Sequence, residues 1–321
     1  MEIVESIAIV VGLIVFEVVN SIDNAIVNAH VLKTMGVLWR KRFLLIGIIT
    51  SVFVVRFLLP VVIVWLSVPN LSVSELLLAF TSESSVAASA IEAEKSIILM
   101  FGAVFLLYLY LHWLFLEKKD PLFIERYLKE KHGVWFFAFA AIILVVLMYF
   151  ARADPIVMLA AAIGSATFFI LYGLKETAEK GEKTLSGNGG LSDFSKFVYL
   201  EVLDATFSFD GVIGAFAFTI NLLLILIGIG IGAIVVRELT IKGIDQVAKY
   251  KYLKNGAMTS IGFLGLFMLA ESFGVPLPSY VPIVVTLLLV GSAFYKSRLL
   301  LPKKPKTSRP SKRWIPFGRQ R

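Results

Sequence analysis

Two short stretches place acids where the neighbouring residues are hydrocarbon. "VFEVVNSIDNAIVNAH", residues 15–30, carries Glu17, Asn20, Ser21, Asp23, Asn24 and Asn28 between apolar runs. "LEVLDATFSFDGVIGAFAFT", residues 200–219, carries Glu201, Asp204, Ser208 and Asp210. An ionised carboxylate near a bilayer centre costs about 2.5–3.5 kcal/mol, so such residues mark ion or proton pathways unless something neutralises them. Arg56 and Arg237 are placed to serve as charge partners for two of the acids Glu17, Asp23, Glu201, Asp204 and Asp210. The remaining acids call for a bound cation or a set of exchangeable protons. The donor set is all oxygen: carboxylates, the amides of Asn20, Asn24 and Asn28, and the hydroxyls of Ser21, Thr206 and Ser208. Hard or borderline divalent cations such as Mn²⁺, Mg²⁺ or Ca²⁺ prefer that chemistry. His30, His112 and His132 read as interfacial residues. The chain has no cysteine, which excludes thiolate metal sites and disulfides.

The elements that must hold these residues are membrane helices. The chain of 321 residues is 58% hydrophobic, with a mean hydropathy of +0.85, against about 45–50% apolar for a soluble domain. The surplus comes in runs of about 17–25 residues, long enough to cross a hydrocarbon core. We expect an all-α polytopic membrane protein with spans near 6–32, 43–66, 97–116, 134–150, 155–172, 195–220, 222–237, 257–271 and 280–296. The start, "MEIVESIAIV", lacks the basic region of a signal peptide, so its apolar stretch reads as a permanent span.

The 31 Lys and Arg residues then segregate. Apart from Lys95, Arg152 and Arg56, all fall in the segments 33–42, 117–133, 173–196 and 237–256 or in the tail from Lys296. By the positive-inside rule the N-terminus lies outside and the C-terminus in the cytoplasm, across the cell membrane. The net charge of +8 is therefore topological and does not point to nucleic acid. Residues 1–180 read as a first membrane half, 181–193 ("GEKTLSGNGGLSD") as a flexible cytoplasmic linker, 194–300 as a second half, and 301–321 as a basic cytoplasmic tail. Within segment 67–96, "LSVSELLLAF" has the character of an interfacial helix.

The two acidic stretches superimpose as a repeat. "EVVN" at 17–20 matches "EVLD" at 201–204, and "SIDN" at 21–24 resembles "SFDG" at 208–211. In the expected topology span one runs inward and span six outward, so the copies are antiparallel, as in transporters built from inverted repeats with a midplane site. Glu17, Asn20, Ser21, Asn24 and Asn28 share one helical face, as do Glu201, Asp204 and Ser208. Asp23 and Asp210 point away from their glutamates on regular helices. Either they meet a different neighbour, or the helices are broken near "SIDN" and "SFDG".

"EVVNSIDNAIV" resembles the first motif of the TerC family of integral membrane proteins, and "EVLDATFSFDGVIGAFAFT" with "GAIVVRELT" resembles the second. "FGAVFLLYLYLHWLFLEKKD" and "YKYLKNGAMTSIGFLGLFML" are similar to its DUF475 branch. The resemblance implies metal-ion transport, most often manganese efflux, and an association with tellurium resistance. It assigns Glu17, Ser21, Asp23 and Asn24 to the first motif, and Glu201, Asp204, Asp210 and Arg237 to the second. Lys254 and Asn255 depart from it, standing where that branch would place an acid and a histidine.

The expectation is a secondary exporter of a divalent cation, Mn²⁺ foremost, without a prosthetic group and without enzymatic activity. Its site would comprise Glu17, Asn20, Ser21, Asp23, Asn24, Glu201, Asp204, Ser208 and Asp210, with Arg56 and Arg237 as charge partners and protons as the exchanged ion. The chain has no glycine-rich phosphate loop, so transport would not be driven by nucleotide hydrolysis. The glycines of "IGIGIGA", 227–233, read as close helix packing. Two alternatives stay open: a membrane protein that delivers metal to exported proteins, or a tellurium-resistance accessory. An intramembrane aspartyl protease fits poorly, because neither aspartate lies in a Tyr-Asp or Gly-x-Gly-Asp context.

Overall fold

The computed structural model describes residues 3–50, 55–68, 72, 74–75, 86–127, 133–186, 192–242, 247 and 249–301. Helices follow one another throughout: α1 (Ile3–Asn20), α2 (Ile22–Lys33), α3 (Val37–Ile48), α4 (Arg56–Ser67), α5 (Val86–Ala93), α6 (Lys95–Leu116), α7 (Gly133–Phe150), α8 (Pro155–Ser186), α9 (Asp193–Ala215), α10 (Leu222–Lys242), α11 (Leu253–Ser272) and α12 (Tyr280–Leu300). No strand occurs among the described residues. Among the described residues, seven helices are long and apolar enough to cross a membrane: Ile3–Asn20, Lys95–Leu116, Val134–Ala153, Pro155–Thr177, Leu222–Thr240, Leu253–Ser272 and Tyr280–Leu300. The protein is an all-α, multi-pass membrane protein.

Two expected spans are not among these seven. The described residues of span 43–66 belong to α3, the turn that follows it and the short apolar α4, and residues 51–54 lie outside the described residues. Span 195–220 forms α9, but Asp193, Lys196, Glu201, Asp204 and Asp210 give it too much charge for a lipid-facing crossing. It also ends at Ala215, five residues early, in turns at Phe216–Phe218. Of the linker expected at 181–193, residues 187–191 lie outside the described residues, while α8 continues to Ser186 and Ser192 caps α9 by accepting from the Ser195 amide at 3.2 Å. "LSVSELLLAF" and the basic tail fall almost wholly outside the described residues.

Local chemistry explains the remaining boundaries. Pro155 opens α8 at a position where its missing N–H is no loss. Gly274, at φ +78°, closes α11 in a Schellman turn: Val275 N donates to Ala270 O at 3.1 Å and Gly274 N to Glu271 O at 2.9 Å. The core is built on α6 and α11, whose inward faces meet over small residues. A Cβ at Gly262 would lie 2.6 Å from the Tyr110 ring, and one at Gly102 would lie 2.3 Å from Met268 Cε. The helices α7 and α12 are peripheral and turn Phe137, Ile142, Val145, Val284 and Leu288 outward, as lipid contact requires.

The motif helices pack antiparallel. Gly36 N donates to Asp193 Oδ2 at one end, Asn24 Nδ2 to Asp204 Oδ1 in the middle, and Phe16 meets Phe218 at the other end. Chain number thus rises along α1–α2 as it falls along α9.

Candidate functional site

The expected break in the first motif is present. Ser21, at φ −90° and ψ 3°, separates α1 from α2, although Ser21 N still donates to Glu17 O and Ala25 N to Ser21 O at 3.0 Å. The result is a kink, not an unwound loop. The second motif is not broken, because α9 runs through "SFDG" to Ala215.

Glu17 is buried, and its Oε1 accepts from Arg56 Nη2 at 2.7 Å, Arg56 Nε at 3.2 Å and Ser21 Oγ at 2.9 Å. Asp204 accepts from Asn24 Nδ2 at 2.5 Å and faces Arg237 Nη1 at 3.4 Å. Glu201 lies 3.6 Å from Arg237 Nη2 and accepts a short hydrogen bond from Thr50 Oγ1. Arg237 is held independently of the acids. Its Nη2 donates to Phe43 O at 2.7 Å, and its guanidinium sits 4.0 Å from the Phe43 ring centroid.

A two-fold logic relates the halves. Each motif glutamate is paired with an arginine from the next apolar segment of its own half, Glu17 with Arg56 and Glu201 with Arg237. Each also abuts a glycine from the other half. A Cβ on Gly232 would lie 2.7 Å from Glu17 Cβ, and one on Gly47 would lie 2.3 Å from Glu201 Oε1. Gly211 touches the same centre, its Cβ position being 2.3 Å from Glu17 Oε2 and 3.8 Å from Asn20 Nδ2.

These contacts bring together Glu17, Asn20, Ser21, Asn24, Glu201, Asp204, Arg56 and Arg237, but not as one metal cluster. Among the described residues, no three acidic, histidine or cysteine side chains converge closely enough to hold a metal ion. Arginines stand between the carboxylates. The side chain of Asp23 lies outside the described residues. Ser208 donates within its own helix, to Asp204 O at 2.6 Å, and is not presented to the other acids. Asp210 stays on the opposite face of α9, beside Phe105, His112, Phe168, Lys175 and Thr206, and makes no hydrogen bond or ion pair among the described residues.

Among the described residues, three buried oxygens at the centre accept no hydrogen bond: Asn24 Oδ1, Asn28 Oδ1 and Glu201 Oε1. The antiparallel register sets Asn24 opposite Asp204 and Asn28 opposite the turn of Glu201. Leaving such atoms unpaired is costly, and they mark where a cation would find ligands.

A second charged region was not anticipated from sequence. A cavity of about 600 Å³ is lined by Ile26, Val27, His112, Leu116, Glu117, Lys118, Tyr172, Lys175, Glu176, Phe207 and Lys254. His112 is not an ordinary interfacial residue, since its ring packs against Tyr172 at 4.5 Å and Phe136 at 5.6 Å. Lys254 Nζ pairs with Glu117 Oε2 at 2.5 Å, and Asn255 Nδ2 donates to Glu125 Oε1 at 2.6 Å. Burial pushes the Glu117 carboxyl up, but Lys254 and Lys175 outweigh it and hold the group below its ordinary range. His30 is exposed and His132 lies outside the described residues. The spacing of His112, Glu117 and Lys175 carried no signal, because helix packing alone gathers them.

A model of the family "Protein of unknown function (DUF475)" matches residues 22–301. The chain belongs to the DUF475 family. The matched region takes in Asn24, Arg56, both acids of the Arg237 cluster and Asp210, and begins after Glu17. No curated protein and no solved structure matches this DUF475 chain.

Proposed function

We propose that this protein is a secondary transporter that exports a divalent metal cation, Mn²⁺ foremost, from the cytoplasm in exchange for protons, and that it is a relative of the TerC family. The observation that carries this reading is the buried centre where antiparallel motif helices bring acids and unpartnered oxygens together. Glu17 is paired with Arg56, and Glu201 and Asp204 share Arg237. The Glu201–Asp204 pair carries one negative charge more than Arg237 cancels, and a bound cation or a proton would balance it.

The donor set fits the substrate. Glu201 and Asp204 would supply charge, and the Asn24 and Asn28 amides would supply neutral oxygens, a hard set without nitrogen or sulfur. Glu17 would stay with Arg56 and Ser21 as a fixed anchor. Arg237 would surrender Glu201 and Asp204 to the incoming ion while Phe43 O and the Phe43 ring hold its guanidinium. When the ion leaves, Arg237 re-engages, so the carboxylates are not left bare in low dielectric.

The two mouths differ in character. Glu5, Glu92, Glu271 and Lys95 surround a cavity of about 180 Å³ at the end of α1, whereas the lysine-rich cavity lies at the other end of the bundle. With the positive-inside rule, the acidic mouth faces outward.

The test is Mn²⁺ flux in proteoliposomes holding the purified chain alone. Wild type should carry Mn²⁺, and Asp204→Asn should lower the rate at least tenfold. Mn²⁺ binding without flux in wild type would reject the exporter and support metal delivery instead.

A further inference from the structure

Asp210 stands apart from the arginine-held acids and faces a second, narrower void. That void, about 30 Å³, is lined by Phe105, Leu109, His112, Phe168, Leu171, Tyr172, Lys175, Thr206, Phe207 and Asp210. It adjoins the 600 Å³ cavity, with which it shares His112, Tyr172, Lys175 and Phe207. Together they lead from the lysine-rich end of the bundle to a carboxylate without a hydrogen-bond partner among the described residues.

Size decides what can use the inner segment. A void needs about 10–15 Å³ of this kind to hold one water, so 30 Å³ accepts two or three. A divalent ion with six waters needs on the order of 60–90 Å³ by the same measure and cannot enter intact. The groups that could replace its shell are the Asp210 carboxylate, the Thr206 and Tyr172 hydroxyls and the His112 imidazole, with the Lys175 cation beside them, fewer than the six or more oxygen ligands a hard divalent ion takes.

We propose that the paired cavities form a water path that carries protons between the basic face of the membrane and Asp210, separate from the route of the metal. The proposal rests on the transport reading above, and supplies its counter-ion route. The proton moves along water past the His112 imidazole and forms an O–H bond on Asp210 as the donor's bond breaks. The groups facing Asp210 are Lys175 on α8, Glu17 on α1 and Glu117 at the end of α6. Those facing His112 are Glu117, Lys175, Glu176 and Lys254. Lys175 stands at the junction, with Nζ 4.4 Å from the Phe207 ring centroid. Asp210 is not among the proposed metal ligands, which lie on the other face of α9.

Radiolytic hydroxyl-radical labelling tests the path directly, because the radical forms from water already in place. Tyr172, shared by the two cavities, and Phe168, on the narrow one, should both be modified in the purified chain. Modification at 172 with none at 168 would mean a dry void and would overturn the proposal, whether or not the protein transports metal. In proteoliposomes with an internal pH dye, Asp210→Asn should keep exchange of labelled for unlabelled Mn²⁺. Its Mn²⁺-linked proton movement should fall at least tenfold, and Asp210→Glu should recover it. Proton movement unchanged in Asp210→Asn would sink the path. Loss of Mn²⁺ exchange in that variant would place Asp210 on the metal route and sink it equally. Wild type without Mn²⁺ exchange would instead reject the transport reading, and the labelling at 168 would still decide whether the void beside Asp210 is wetted.

Discussion

At the scale of single residues, the bundle holds its charges by pairing them, and pairing has a sharp consequence. Glu17 and Arg56 are both almost fully buried, so neutralising the glutamate takes the carboxylate 2.7 Å away from a buried guanidinium. Breaking a buried pair in this way costs about 3–5 kcal/mol, whereas replacing both partners by groups of similar volume is often neutral. Glu17→Gln should therefore lower the thermal midpoint in detergent markedly, and Glu17→Gln with Arg56→Met should recover most of it. A single variant that melts like wild type would show that the pair is not buried as described. The sequence announced the acids because a carboxylate among apolar residues demands a reason. It did not announce their partners. Glu201 meets Thr50 and Arg237, and His112 meets Tyr172, only because helices distant in the chain cross there. Asp210 and Asp23 point away from their glutamates on regular helices, which left either a different neighbour or a helix break to serve them. The α9 backbone bonds continue through Gly211, so Asp210 keeps the opposite face that its spacing gave it.

At the scale of helices, glycine sets how near the charged centre the backbones come. The reading of "IGIGIGA" as close packing holds, since a Cβ on Gly228 would lie 2.5 Å from Leu13 Cβ and one on Gly232 would lie 2.7 Å from Glu17 Cβ. Both neighbours are near the backbone of α1 and cannot swing aside. Gly232→Ala must therefore separate α1 from α10 and displace Glu17 from Arg56. It should lower both the thermal midpoint and the Mn²⁺ flux. Gly173→Ala is the control, because a Cβ there meets nothing within 4 Å. It should be neutral or stabilise α8 by about 0.5–1 kcal/mol, the helical preference of Ala over Gly. Equal losses from the two substitutions would contradict the packing. Hydropathy made the apolar helices legible and left α9 ambiguous. That helix carries its charge on faces turned toward protein, a property of its neighbours that no window over its own residues contains.

At the scale of the molecule, the segregation of basic residues along the chain becomes a segregation between ends of the bundle. Lys251 pairs with Asp120 and Lys254 with Glu117, so the segments 117–133 and 237–256 meet at one end, as a shared basic face requires. Thr34 and Lys196 meet as well, at 3.1 Å, tying segment 33–42 to the start of α9. At the other end Ser279 Oγ donates to Glu5 Oε1 at 2.6 Å, joining the α11–α12 turn to the N-terminal helix. The antiparallel crossing of the motif helices requires these two ends to lie on opposite sides of the membrane. In a chain without native cysteine, Ser279→Cys should react with an impermeant maleimide on intact cells. Thr34→Cys should react only after the membrane is opened. Both residues are exposed, so access is set by the bilayer and not by the fold. Labelling of both from outside would overturn the crossing. The reversed pattern would keep the crossing and turn the lysine-rich cavity outward, making the proposed direction of metal export wrong.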